Sequence, residues 1–482
     1  MKRHILHICS IFLLIVSCND FLDQEPDLQV SFNEQLSTRE GVLQAYNGIY
    51  RDIEAIFSSK FAVYADALGG NISFSPAILG DPIVSIPNEI LFAYSFNANP
   101  QELDFDGYYD DWYDVINQVN LILSRIDSYS FFTASELSQL QAELLTVRAL
   151  AHYQVSLVFA QHYAFTADAS HLGVIYNTDV LIAGEDFPSR RSMANTYLLI
   201  QEDLDMALDL YNGTQLQSGP EYSYFNTVNT SALYARIALQ MSDWQKARDF
   251  SDTTINTSGV VLTSQANYVS EWEENLLPIN EVIMEFTAPV TSEGNVSSSI
   301  SANYQFTSTT NYADYVASGD ILALYETPDI RLNMFIEETI PTRIDGIDTP
   351  LEYAFTKKFQ GDAGTLFIRL SELYLIRAEA NARLGLTNDA LVDLNTIRTR
   401  ANLPTLNSTN NLLDDIFDER RRELAFEGHL LFDIARYQKD VERNLGCIAP
   451  ICNLGYPSNF FILPIPEDNV LQNENMQQNE GY

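Results

Sequence analysis

Positive charge is in short supply. Of 482 residues only 27 are Lys or Arg, against 65 Asp or Glu, and the formal net charge is −38. A surface field of that sign repels phosphate backbones and anionic headgroups, so nucleic acid is a poor partner and lipid surfaces exert no electrostatic pull. Cysteine is scarce as well, with four in the chain. No CxxC pair and no Cys/His spacing suited to zinc occurs. Beyond residue 20 there is no run of 18 apolar residues, which leaves no candidate for a membrane-spanning helix. Catalytic signatures are missing too: no P-loop, no dinucleotide fingerprint, no HExxH and no G-x-S-x-G. Beyond the first twenty residues the histidines are His152, His162, His171 and His429. His152 and His162 read as one helix at a separation of ten, which is not the i,i+3 or i,i+4 spacing of a metal pair. With so many acids, pairs such as Asp104/Asp106 or Asp110/Asp111 are expected by chance and do not mark a glycosidase. Asp110, Asp111 and Asp114 sit near a helix start, where negative charge is favoured. No catalytic residue, cofactor or metal is expected.

The chain is nevertheless far from disordered, being 46% hydrophobic and 12% aromatic. Its length suits about three domains, or a single large helical body. Lys2 and Arg3 precede an apolar stretch from Ile5 to Val16, then Ser17 and Cys18. Twelve residues are too short to span a bilayer, so residues 1–17 read as an export signal. Small Ser17 before Cys18 resembles a bacterial lipoprotein box, in which the cysteine becomes the lipidated N-terminus. The plainer alternative is an ordinary signal peptide with Cys18 incidental. Loss of Lys2 and Arg3 would take the net charge from −38 to −40. Cys447 and Cys452 flank Ile448-Ala449-Pro450-Ile451, where proline favours a turn. In an oxidising compartment they either close a disulfide loop or remain two thiols.

Helical patterning dominates. In residues 136–163, Leu137, Leu140, Leu144, Val147 and Ala151 recur at three- and four-residue steps. Residues 191–211, 229–256, 366–385, 387–401 and 411–437 behave similarly, whereas strand-like alternation is confined to 281–286 and 460–465. Ala235 and Ala247 lie twelve apart, as do Ala378 and Ala390, each pair bracketing a turn at Ser242-Asp243 or Gly385-Leu386. Small residues at that distance let two helices of a hairpin pack closely, as in tetratricopeptide repeats. Seven residues on, Thr254 and Ile397 stand where another small residue is preferred, and only two repeats are legible. The expected fold is mainly α: a tetratricopeptide-like hairpin scaffold with long irregular loops and a few short strands. Those loops are 68–106, 213–228, 257–320 and 402–412, with a soft division at 290–312.

Three C-terminal segments, FIRLSELYLIRAEANARLG (367–385), DERRRELAFEGHLLFDIARYQ (418–438) and FILPIPEDNVLQNENMQQNEGY (461–482), resemble the SusD/RagB family of Bacteroidetes outer-membrane lipoproteins. SCNDFLDQEP (17–26) resembles that family's mature start. DDWYDVINQVNLILSRID (110–127) resembles its early helix through Tyr113, Ile116 and Asn120, with Tyr109 where the pattern often has Trp. Residues 257–350 resemble it least. The resemblance divides the chain into a leader (1–17), an N-terminal region (18–215), a hairpin plus variable loops (216–320) and a C-terminal region (321–482). Arg420, Arg421 and Arg422 point about 100° apart on a helix, so they read as structural ion-pair partners and not as one basic grip.

The resemblance implies a surface-exposed lipoprotein anchored through Cys18. It would capture a nutrient, usually a glycan, for a SusC-like TonB-dependent transporter, and carry out no chemistry. Sugar rings stack on aromatic faces while polar side chains bond their hydroxyls, and loops on a rigid body present such groups. Candidate ligand-binding aromatics are therefore Phe74, Tyr94 and Tyr108 from the first loop region, and Trp272, Tyr304, Phe306, Tyr312 and Tyr315 from the central one. Trp272, among Glu271, Glu273 and Glu274, is the preferred platform, and Lys357 and Lys358 could seed a local basic patch. A peptide- or protein-binding adaptor is the alternative function.

Overall fold

The computed structural model describes residues 32–182, 184–273, 280–286, 299–361 and 364–482. The leader and Cys18 lie outside them, as do Glu274 and residues 290–298 of the expected division. Its helices are α1 (Arg39–Ser58), α2 (Tyr64–Gly69), α3 (Asp106–Leu123), α4 (Ala134–Phe159), α5 (Met193–Leu210), α6 (Thr227–Gln240), α7 (Trp244–Thr257), α8 (Leu370–Arg383), α9 (Thr387–Arg400), α10 (Leu412–Glu423) and α11 (Leu430–Arg436), with shorter turns between. Local sequence fixes their starts. Thr133 and Glu136 close a capping box on α4, Asn226 and Asn229 close one on α6, and Asp243 caps α7. The stretch read as 136–163 ends at Phe159, so His162 lies beyond the helix that carries His152. Residues 229–256 and 411–437 each resolve into two helices. The second break holds Phe426 and Gly428 at φ of 70° and 79°, a left-handed geometry that stops a helix.

The alanine spacing corresponds to real hairpins. Ala235, Ala247, Ala378 and Ala390 are all fully buried, and α6 packs on α7 as α8 packs on α9. A third pair, α4 with α5, extends the array, because α5 lies against α6 and α7 against α8. That pair has no twelve-residue signature because residues 160–192 separate its helices.

Strands are few and paired in twos: β1 (Ile72–Phe74) with β5 (Tyr315–Ala317), β2 (Val282–Phe286) with β8 (Thr365–Arg369), β3 (Phe306–Ser308) with β4 (Asn311–Tyr312), and β6 (Phe335–Ile344) with β7 (Ile347–Thr356). Residues 281–286 thus form the expected strand, but 460–465 do not; Asn459–Phe461 is a tight helical turn. The β6–β7 hairpin, in the least recognisable part of the sequence, closes through Asp345 and Gly346 at φ of 50° and 78°. That is the two-residue geometry for which Asp-Gly is suited. The main hydrophobic core runs from Leu36 to Ile465, with smaller clusters beside it, one of them built from Tyr312, Val316, Ile340 and Phe355.

Charge is organised inside this core. Glu423 accepts from Arg331 at 3.0 Å, Arg369 at 2.7 Å and Arg400 at 2.5 Å, all of them buried. Glu281 takes Arg369 and Arg400, and Glu427 takes Lys358 and Arg369. Their ionised partners hold Glu423 and Glu427 below the usual carboxylate range against the opposing cost of burial. The three consecutive arginines diverge as expected: Arg420 to Asp433, Arg421 to Asn71 and the Gly70 carbonyl, Arg422 to Glu419. Lys358 is buried in this network and Lys357 pairs with Glu273 at 2.8 Å, so neither seeds an open basic patch.

Candidate functional site

The β1–β5 ladder joins the two loop regions from which ligand contacts were expected, placing Ile72 opposite Ala317 and Phe74 opposite Tyr315. Seven of the eight candidate aromatics, however, are less than a tenth exposed. Phe74 packs edge-on against Tyr94, whose ring lies 4.1 Å beneath the Arg443 guanidinium. Tyr108 stacks on Phe61 at 3.6 Å and donates to Gln154. Tyr304 sits between Phe359 and Phe426, and Tyr315 lies under Lys60. Tyr312 donates to the Pro76 carbonyl at 3.1 Å. Trp272 faces inward, with the Lys358 ammonium 5.1 Å and the Arg369 guanidinium 5.8 Å from its ring. Rings this buried offer no open face for stacking on a sugar: Phe74, Tyr94, Tyr108, Trp272, Tyr304, Tyr312 and Tyr315 pack loops and helices into the interior. The physical reason is size: long loops are held down by sinking their largest side chains into the main core, where six of these seven rings lie.

Phe306 differs. It begins β3, packs one side on Phe355 at 4.7 Å, and stays half-buried. Its amide donates to Gln360 Oε1 at 2.9 Å, and Gln360 in turn donates to the Tyr304 and Thr356 carbonyls, which fixes the strand. Thr307, Thr309, Thr310 and Asn311 beside it are exposed. Tyr353 on β7 packs against the same cluster of Tyr312, Val316, Ile340 and Phe355, and it too is half-buried. Its hydroxyl lies 2.8 Å from that of Thr342. The sequence reading missed Tyr353 because it missed the β6–β7 hairpin; Asp345-Gly346 between alternating residues was the available signal.

Acids line the β1–β5 seam. Lys60 meets Glu89 at 3.5 Å. Burial raises the Asp104 carboxyl to about 6, although it accepts the Ala93 amide at 2.7 Å. Asp314 is raised by desolvation as well, with Lys60 opposing and Glu89 adding to the shift. The rings of this seam have no open face, so the half-buried Phe306 and Tyr353, with hydroxyls beside them, suit a neutral polyhydroxylated ligand better.

The histidines are structural. His152 is buried, with its Nδ1 2.8 Å from the Arg148 carbonyl and its Nε2 accepting the Asn177 amide at 3.0 Å. Burial lowers its pKa to about 3, so the ring is neutral. Among the described residues no three His, Cys, Asp or Glu are grouped to hold a metal ion. Cys447 and Cys452 are bonded to each other, with 5.9 Å between their Cα atoms. Arg443 braces their loop by donating to the Ile451 and Cys452 carbonyls and to that of Tyr94.

Two family models match the chain: one for proteins described as starch-binding and associating with the outer membrane, over residues 20–241, and one for the SusD family, over residues 350–482. This chain belongs to the SusD family. It is 22% identical to SusD-like protein P38 of Formosa agariphila over 98% of both chains. The starch-binding protein SusD of Bacteroides thetaiotaomicron is 33% identical over 25% of this chain and 22% of its own length. A SusD superfamily structure from Bacteroides vulgatus superposes with a TM-score of 0.79 at 25% identity, covering 92% of this chain and 99% of that one. The SusD family is one of carbohydrate-binding proteins associated with the outer membrane. Among the described residues no helix is long and apolar enough to cross a membrane.

Proposed function

We propose that this SusD-family protein captures a glycan on the face built by β3, β4 and the β6–β7 hairpin and hands it to a SusC-like TonB-dependent transporter. It does so from the cell surface, held to the outer membrane by acyl chains on Cys18, and it does not cleave what it binds. The observation that carries this reading is the agreement of two family models, one at each end of the chain. The half-buried rings of Phe306 and Tyr353, the neighbouring exposed Thr and Asn side chains and the poverty in basic residues support a neutral glycan. The test is incubation of the purified protein with a panel of glycans, followed by product analysis and co-purification from membranes. Retention without shortening, and a transporter in the eluate, are the expected results. Shortened products would make the protein an enzyme, and peptide binding with indifference to every glycan would make it an adaptor.

A further inference from the structure

A cavity of about 300 Å³ opens between α1, α4 and residues 213–228, elements that contribute nothing to the glycan face. Tyr46, Gln139, Glu143, Glu221, Tyr224 and Asn226 supply its chemistry, and no Lys, Arg or His lines it. It has room for one small molecule.

Its inner wall contains an acid without a counter-ion. Glu143 is 3% exposed. Its Oε2 accepts the hydroxyls of Tyr46 and Tyr50, and its Oε1 accepts the Gln139 amide at 2.9 Å. Those donors are neutral, whereas the buried carboxylates of Glu281, Glu372, Glu379, Glu423 and Glu427 each face a cation. The ion pair Arg39–Glu136 sits seven residues earlier on the same two helices, about 10 Å away at 1.5 Å per residue. The titratable groups that face Glu143 are the phenols of Tyr46, Tyr50, Tyr211 and Tyr224. Glu221 lies at the rim.

The remaining wall is aromatic. Tyr46 and Tyr224 lie nearly parallel, 15° apart with centroids at 6.2 Å, and Tyr224 meets Tyr50 edge-on. The amides of Gln139 and Asn226 are committed, Gln139 to Glu143 and Asn226 to the carbonyls of Glu221 and Tyr224, while Thr214, Gln217 and Thr227 keep donors of their own. The wall around Glu143 itself offers acceptors, π faces and a carboxyl with no cation. A neutral sugar would gain stacking here but nothing from the charge. A group with several N–H donors and a positive charge uses all three features.

We propose that this cavity is a receptor for a primary ammonium group, borne by a single amino sugar or by a small free amine, with Glu143 as counter-ion and Tyr46 and Tyr224 as the π wall. Burial holds the Glu143 carboxyl at about 7 in the free protein, so an arriving cation should pull it down.

The experiment is calorimetry at pH 7 with two matched pairs, glucosamine against glucose and ethanolamine against ethylene glycol. A carbon-detected titration of the Glu143 carboxyl runs alongside. Each ammonium compound that binds should do so at least tenfold more tightly than its neutral partner and lower the Glu143 pKa. Glucosamine alone would name an amino sugar, ethanolamine alone a free amine, and both the ammonium itself. Glu143→Gln should abolish the preference; if it does not fold, Tyr224→Leu in the π wall should weaken it. Equal affinity for charged and neutral partners, an unmoved Glu143 titration, or no heat from either ammonium compound would overturn the proposal.

Discussion

Trp272 and Phe306 show how little a residue type says about its use. Both are aromatic and both lie in the loop-rich centre of the chain, yet the Trp272 ring is buried between Lys358 and Arg369 while Phe306 is only half-buried. Trp272→Ala is expected to lower stability by about 3–5 kcal/mol and leave glycan affinity of the folded fraction unchanged. Denaturant unfolding beside calorimetry checks both. The buried acids set the pH limits of stability in opposite senses. Ionised partners, chiefly Arg236 for Glu372 and Arg420 for Asp433, bring these two carboxyls down to about 2 despite burial. Their stabilisation is complete above the ordinary carboxylate range and is lost as pH falls through 2. Glu143, raised to about 7, contributes stability present below its unfolded pKa and lost as pH rises through 7. Melting temperature should therefore fall below the ordinary carboxylate range and also between that range and pH 7, and Glu143→Gln should flatten the second fall alone. An unchanged fall between the carboxylate range and pH 7 in that variant would remove Glu143 as its cause.

At the scale of elements, the alanine pairs carried their meaning through. Ala378 and Ala390 are fully buried where α8 meets α9. Ala378→Leu should cost roughly 1–3 kcal/mol by overpacking, read as a drop in the urea midpoint, and an unchanged midpoint would contradict the close packing. The helices were legible because their periodicity survives burial, and the hairpins because short turns preserve the twelve-residue step. The third pair was hidden by the separation between α4 and α5. The β6–β7 hairpin was hidden differently. It alternates Glu337, Thr339 and Pro341 with Ile336, Glu338 and Ile340 in a segment with little resemblance to the family, and only Asp345-Gly346 marks it. The site was the least legible of all, because a loop aromatic that anchors and one that binds have the same sequence signature. Burial alone separates Tyr304 from Phe306, two residues apart.

The whole molecule is defined by its charge and its attachment. At −38 the field opposes sulfated or uronate-rich polymers before any contact forms, a bias confined to about 8 Å at physiological salt. The proposed attachment rests on Cys18, since stable anchoring requires two acyl chains or more. Cys18→Ala should move the protein from the membrane fraction to the soluble one; continued anchoring with lipid label would rule that residue out. The central claim is that the half-buried aromatics of the β3–β4 and β6–β7 face capture neutral glycan. Its most direct test is calorimetric titration of neutral oligosaccharides into the wild type and into Phe306→Ala, with melting curves to confirm that both are folded. The account predicts saturable binding by the wild type and at least a tenfold loss in the variant at an unchanged melting temperature. Equal affinity in the two folded proteins would contradict it.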